Sequence, residues 1–294
     1  MDTRTISFYL RLAALTVAVA ILAGCAASRT VKYDEVEMVR AETEVRPEAL
    51  LDVGILLFDP GVPEDQEEPD GFVFPDVRRA EARYMPYHLK NTLEASGHWG
   101  SVWVLPEFSE AVDVIVWGRV DHSDGLKAEV RVGAWDATGR EWLNKVYKTQ
   151  VPEKAYSSYR DTSQDPYQNV YNSIANDLLE IRQEMSSEEL EDVRQVAELR
   201  FASNLVPVAF GDHLENDEGN YSIRRLPAEN DPMLTRLRAV REREYLLIDT
   251  VNEYYANLYF ELSQPYEDWR KMSREETIRY QELKRSARMR QLLG

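Results

Sequence analysis

The sequence contains a single cysteine, Cys25, in 294 residues. A chain with one cysteine cannot form an internal disulfide, although exported proteins often carry cysteine pairs because their compartment permits disulfides. The folded part must therefore be stabilised by its core alone. With 44% hydrophobic and 10% aromatic residues, the chain has enough apolar side chains to build such a core.

Sequence motifs of catalysis and cofactor binding are also missing. There is no GxSxG nucleophile elbow and no GxGxxG or GxxxxGK[ST] phosphate-binding loop. The four histidines show neither HxH nor HxxxH spacing, whereas a zinc site needs three or four clustered ligands. We therefore expect no metal, no cofactor and no enzyme activity. An envelope hydrolase is the alternative, because a catalytic carboxylate pair would be inconspicuous among 52 acidic residues.

Basic residues are too few for a nucleic-acid-binding protein. The chain has 35 Lys and Arg residues against 52 Asp and Glu residues, a net charge of −17. Binding to phosphate backbones or to anionic lipid needs basic patches. We therefore expect no nucleic-acid partner.

No apolar run reaches the roughly 20 residues of a transmembrane helix. The run from residue 12 to 22 follows Arg4 and Arg11, and this order of charged and apolar residues is typical of an export signal. It ends in Leu-Ala-Gly-Cys at residues 22–25, which resembles the lipobox of bacterial lipoproteins. The resemblance implies cleavage between Gly24 and Cys25 and lipidation of Cys25, which anchors the protein in a membrane. Ala26 favours the outer membrane and its periplasmic face, because lipoproteins kept at the inner membrane tend to have Asp there.

The sequence divides into four parts. Residues 1–24 form the predicted signal peptide and residues 25–49 a lipidated polar tether. Residues 50–151 contain short apolar or alternating runs separated by turn residues, with one helical pattern after the first run. This order predicts an α+β fold that begins with a βαββββ domain whose sheet is mainly antiparallel. Residues 152–294 predict a mainly α-helical region.

The strands of residues 50–151 carry a family resemblance. The segments VGILLFDP, LEASGHWGSVWVLP, VDVIVWGRV and AEVRVGAWDATGREWLNKVY occur in this order. The pattern resembles the small α/β domains of envelope proteins, which include the amino-terminal domain of TolB, the curli secretion lipoprotein CsgG and the lipoprotein activators of peptidoglycan synthases. The resemblance implies a protein that binds other proteins or builds assemblies, and no individual binding residue carries over from it.

Helix signals organise the second half of the chain. Asp165-Pro166 predicts a helix to about residue 185, and Ser186 with Glu189 forms a capping box for a helix to about residue 204. Residues 207–230 are rich in Gly, Asp and Asn and predict irregular structure. A long helix is predicted from Asp231 to about residue 262. A break at 263–265 and a last helix from Ser273 then complete a helical hairpin.

Aromatic residues supply the candidate binding surface. On β-strands the residues of one face alternate, so Trp135 should lie opposite the buried face formed by residues 128, 130, 132 and 134. Either the helical half or a partner should then cover Trp135, and we favour the helical half. The candidate partner-binding residues are Phe72, Phe74, Trp135, Tyr255 and Tyr259.

These observations favour a non-enzymatic lipoprotein that faces the periplasm and acts as an interaction or assembly factor in the cell envelope. We expect an envelope protein as its partner, and the sequence leaves its oligomeric state open. The alternatives are the hydrolase and a lipoprotein that binds a small ligand in an aromatic cleft between the two halves.

Overall fold

The computed structural model describes residues 28–31, 36–62, 75–151, 155 and 165–293. The predicted signal peptide, with Gly24, and the lipidation site Cys25 lie outside these ranges, as do Phe72 and Phe74. The described chain is α+β, as predicted: a mixed sheet with helices precedes a long C-terminal helix.

One six-stranded sheet forms the centre of the molecule, with strand order β1-β6-β5-β4-β2-β3. Strands β4, β5 and β6 form a long antiparallel ladder, while β2 pairs in parallel with both β3 and β4. Helix α1, residues Pro75–Ser96, connects β2 to β3. The strands are β1 (Ser28–Val31), β2 (Val53–Leu56), β3 (Val102–Leu105), β4 (Val114–Ser123), β5 (Lys127–Asp136) and β6 (Glu141–Gln150).

Alternation along β5 decides which face of the sheet enters the main core. Ala128, Val130, Val132 and Ala134 are all buried on one face, as the sequence pattern predicts. They join the main core together with apolar residues of α1 and of the next helix, α2 (Gln168–Glu184). On the opposite face, a small apolar cluster at β3 and β4 packs against the C-terminal helix.

Part of the segment predicted to be a tether lies on the folded body. β1 pairs in parallel with β6 along the edge of the sheet. Farther along, the backbone N–H of Val36 donates to Asn169 and that of Val39 donates to Asn176, both on α2. Polar composition predicted a free spacer, but backbone groups hydrogen-bond whatever their side chains are.

The capping box at Ser186 and Glu189 is confirmed. It opens α3, residues Ser187–Leu205, with both reciprocal hydrogen bonds present. The prediction of irregular structure for 207–230 is wrong in part, because a short helix α4 (Pro207–Phe210) and a hairpin of β7 (Leu214–Asp217) and β8 (Asn220–Ile223) occur there. The turn of this hairpin contains Glu218 and Gly219, both with positive φ.

The last helix, α5, is continuous from Pro232 to Leu293, so the predicted break at 263–265 is wrong. An interior proline removes one helical hydrogen bond and costs about 3 kcal/mol. The helix continues through Pro265, and Tyr266 and Arg270, one and five residues later, are buried in the body. Pro86 likewise does not split α1.

The 62 residues of α5 span about 90 Å at 1.5 Å per residue. Among the residues that the structure describes, the buried side chains of α5 run from Leu234 to Thr277. Within the described ranges, no helix combines the length and the apolar character that crossing a bilayer requires.

One side chain of α5 pairs with the backbone at the edge of the sheet. The N–H of Val104 in β3 donates to the Oδ1 of Asn252 at 2.8 Å, and the Nδ2 of Asn252 donates to the Val104 carbonyl at 3.0 Å. The amide of Asn252 therefore occupies the position that a neighbouring strand would take.

Candidate functional site

Trp135 lies on the sheet face opposite the main core, as predicted. It is half-buried and packs against a small cluster of Trp103, Leu105, Val112 and Ile115. Two residues of α5 pack against the same cluster. They are Tyr245, which stacks on Trp103 at 4.8 Å between ring centroids, and Ile248.

Tyr259 also takes part in internal packing. Its ring stacks on Tyr87 and meets Tyr84 edge-on, each at 4.5 Å between centroids. Its hydroxyl forms a hydrogen bond with the Nε2 of His88. Tyr255, one turn earlier on α5, is half-buried. The side of α5 that carries Tyr255 and Tyr259 therefore mainly packs against the body.

The strongest part of this attachment is a buried ionic cluster around Arg270. Arg270 is 1% exposed, and its Nη1 donates to the Oδ2 of Asp165 at 2.7 Å. Its Nε lies 4.0 Å from Glu81, which is fully buried. The guanidinium also lies over the rings of Tyr167 and Tyr266, at 4.2 and 4.9 Å from their centroids. We call this group the Arg270 cluster.

The surroundings shift the pKa values of the two acids of the Arg270 cluster in opposite directions. Burial raises the pKa of Glu81, although Arg270 opposes that change. Burial also disfavours ionised Asp165, but the charges of Arg270 and His88 outweigh it and hold the pKa of Asp165 below its usual range. Because Asp165 is the closer partner, we assign the ion pair to Arg270 and Asp165. The cluster lies inside the protein and fixes the position of α5.

On another side of α5, large apolar side chains are exposed to solvent. At 100° per residue, ten of the 14 exposed large apolar positions fall within roughly 40° on either side of one line along the helix. Leu247 is 64% exposed, Tyr254 74% and Leu283 62%. We call this set the apolar stripe; its members are Met233, Val240, Leu247, Tyr254, Leu258, Leu262, Trp269, Met272, Tyr280 and Leu283.

The apolar stripe lies about a quarter turn around the helix from the face that packs on the body. Its members repeat mostly at steps of three, four or seven residues, which is the spacing of a coiled-coil seam. Arg236, Glu244, Pro265 and Glu276 interrupt it. Extended apolar surfaces of this kind mark interaction sites in soluble proteins. Sequence periodicity alone places Val240, Leu247, Tyr254, Leu258 and Leu262 on one side of the helix, but it does not show whether the body covers that side.

A cleft between the sheet domain and the helical region brings two acids together. The cleft has a volume of about 480 Å³ and is lined by Asp52, Asp113, Trp99, Arg194 and Arg241, among others. Burial raises the pKa of Asp113 to about 6, against the opposing charge of Arg241. Burial raises the pKa of Asp52 as well.

Both acids of this cleft already bind protein groups. The Oδ1 of Asp52 accepts the N–H of Ser101 at 2.8 Å, and the Oδ2 of Asp113 accepts the N–H of Asp52 at 2.8 Å. The Oδ1 of Asp113 lies 3.4 Å from the Nη2 of Arg241. These contacts connect the starts of β2, β3 and β4 to α5. Both carboxylates therefore have a structural role.

The histidines are dispersed over the fold. His88 contacts Asp165, His122 lies 3.1 Å from Asp124, and the Nδ1 of His213 pairs with the carbonyl of Arg225. Among the described residues, no group of three or more His, Cys, Asp and Glu side chains is arranged to bind a metal ion.

Comparison with known proteins found no relative of this chain. No protein-family model, no curated protein and no solved structure matches this chain. The apolar stripe, the Arg270 cluster that positions its helix and the cleft at Asp52 are therefore the features on which a function can be argued.

Proposed function

We propose that this protein is a non-enzymatic interaction or assembly factor of the bacterial cell envelope, held at the periplasmic face of the outer membrane by lipid on Cys25. The observation that carries the proposal is the apolar stripe on α5, which exposes side chains that a monomeric protein normally buries. The lipobox-like residues 22–25 and the resemblance of residues 50–151 to envelope domains support the same function.

The geometry around α5 suits a binding surface. The Arg270 cluster holds the helix on the body, so the apolar stripe is presented by a rigid element. Preorganised surfaces bind more tightly because little conformational freedom is lost on association. The partner that we expect is an envelope protein with a complementary apolar face.

Adjacent leucines provide a matched test of this proposal. Leu246 and Leu247 are 65% and 64% exposed, but only Leu247 belongs to the apolar stripe. Crosslinking in intact cells followed by affinity capture should recover a specific envelope protein with the wild-type chain and with Leu246→Glu. The Leu247→Glu variant should lose it. Equal recovery with both variants, or no specific protein with the wild type, would contradict the proposal.

The Asp52 cleft favours a hydrolase as the second candidate. It is the concave site with converging acids that a carboxylate mechanism requires, and Asp113 has a raised pKa as a general acid would. The bonds of both acids to backbone N–H groups make this the weaker candidate. Wall or glycan hydrolysis by the purified protein, abolished in Asp113→Asn while the fold is kept, would establish it.

The volume of the same cleft favours the third candidate, a small-ligand-binding lipoprotein. About 480 Å³ lies within the usual range of ligand pockets, and Trp99 contributes an aromatic wall between the two halves. Copurification of a small molecule, detected by native mass spectrometry and lost in Trp99→Ala, would support this function over the first.

A further inference from the structure

The charges of α5 are segregated along its length. Residues 249–268 contain five acidic residues and no basic residue, a net charge of −5. Residues 269–293 contain eight basic and three acidic residues, a net charge of +5. The whole protein is acidic, so this basic end stands out from its surroundings. Stabilisation of a helix C-terminus by cations acts only within the last turn and does not explain basic residues as far back as Lys271.

The apolar stripe continues through both charged segments. Leu258 and Leu262 lie in the acidic segment, and Met272 and Leu283 lie in the basic one. A seam of apolar residues flanked by charges is the arrangement of a two-stranded coiled coil, in which the flanking charges select the partner and its orientation.

We propose that residues 249–289 of α5 bind the same residues of a second copy of this chain, as an antiparallel pair centred near Trp269. This inference rests on the proposed function, because it names the occupant of part of the apolar stripe. Antiparallel pairing places the acidic segment of each helix against the basic segment of the other. Parallel pairing would place acid against acid and base against base.

Individual positions agree with this arrangement. Glu261 and Arg279 lie on the same side of the apolar stripe, about 60° from its centre line, and both are exposed. They lie eight and ten residues from Trp269, nearly equidistant, so the antiparallel pair brings them close together. Leu258 and Tyr280 are also equidistant from Trp269, and both belong to the apolar stripe. The buried residues of α5 lie about a quarter turn away from this side.

A second matched pair of residues tests the dimer. Leu283, in the apolar stripe, is 62% exposed, and Met289, off the stripe, is 58% exposed. Sedimentation of the full chain at micromolar concentration should give a dimer for the wild type and for Met289→Glu. Leu283→Glu should weaken dimerisation by about tenfold or more, since it places a charge in the seam. A monomeric wild-type chain would overturn the proposal.

Charge reversal and introduced cysteines report the orientation. Arg279→Glu should weaken the dimer, and adding Glu261→Lys should restore it. In cells that express two tagged forms, Leu258→Cys should form a disulfide with Tyr280→Cys, and neither should do so with its own copy. Self-crosslinking at both positions would show a parallel pair and refute the proposal.

Failure of the dimer is distinguishable from failure of the proposed function. Met233, Val240 and Leu247 lie outside the paired residues 249–289, so they stay free for an envelope partner. We expect the Leu283→Glu variant to capture that partner as the wild type does. A monomeric wild-type chain that still captures the partner would remove only the dimer.

Discussion

The guanidinium of Arg270 lies in the interior beside two carboxylates, at the point where α5 crosses the body. Replacing it with Met should lower the free energy of unfolding by about 3–5 kcal/mol, because Asp165 and Glu81 would stay buried without the cation that compensates them. Lys271→Met, at the exposed neighbouring position, should stay within about 0.5 kcal/mol of wild type. Chemical denaturation measures both. A loss below about 1 kcal/mol for Arg270→Met would show that the ion pair does not hold the helix.

Asp113 makes stability depend on pH. Because burial raises its pKa to about 6, the folded protein binds a proton more tightly there than the unfolded chain does. Stability contributed by this proton is present at low pH and is lost as pH rises through about 6. Lowering the pH from 7 to 5 should therefore increase the stability of the wild type by about 1 kcal/mol relative to Asp113→Asn. Denaturation midpoints at the two pH values test this, and parallel pH profiles of the two proteins would refute it.

At the scale of elements, a comparison of two asparagines of α5 distinguishes the effect of the contact at the sheet edge on stability from the effect of helix propensity. Asn252 is buried and pairs with both backbone groups of Val104, whereas Asn257 is exposed. Asn→Ala raises helix propensity equally at both positions. Asn252→Ala should nevertheless be less stable than Asn257→Ala by about 1–3 kcal/mol, because it leaves the β3 backbone groups without partners. Equal stabilities in urea denaturation would contradict this role.

Local signals explain which elements the sequence predicts correctly. The alternation along β5 and the capping box at Ser186 depend on residues that are neighbours in the chain, and the structure contains both. No such local signal predicts that α5 continues through Pro265, and beyond the proline Arg270 contacts Asp165, a residue 105 positions away. Sequence patterns do not record such contacts, so the helical hairpin was a reasonable but wrong prediction.

The candidate site likewise has features that local sequence patterns predict and features that depend on contacts between distant residues. Periodicity identifies one side of α5 as apolar, but whether that side is covered depends on where the body lies. Of the predicted binding residues in the described ranges, Trp135 and Tyr259 contribute to internal packing. The exposed members of the apolar stripe, such as Leu247 and Leu283, were not distinguished from core residues by their type.

At the scale of the whole molecule, the proposed anchor makes location depend on one residue. Cys25→Ala should abolish labelling with a radioactive fatty acid and move the protein from the membrane fraction to the soluble fraction. Each acyl chain contributes about 0.8 kcal/mol of membrane affinity per buried methylene, so no surface of the acidic body would replace it. Ser28→Ala serves as the control and should stay at the membrane. Continued labelling of Cys25→Ala would refute the lipidation site.

The pairing of Asn252 with Val104 has a consequence for how the protein is made. The two residues are 148 positions apart, so β3 leaves the ribosome long before the residue that pairs with it. Until α5 arrives, β3 is an open sheet edge, and open edges recruit strands from other chains. The C-terminal helix therefore covers this edge of the sheet only after most of the chain has been made. Chains that end before residue 252 should aggregate through the β3 edge. Correct folding of the protein therefore requires that synthesis of the helix proceeds past this residue.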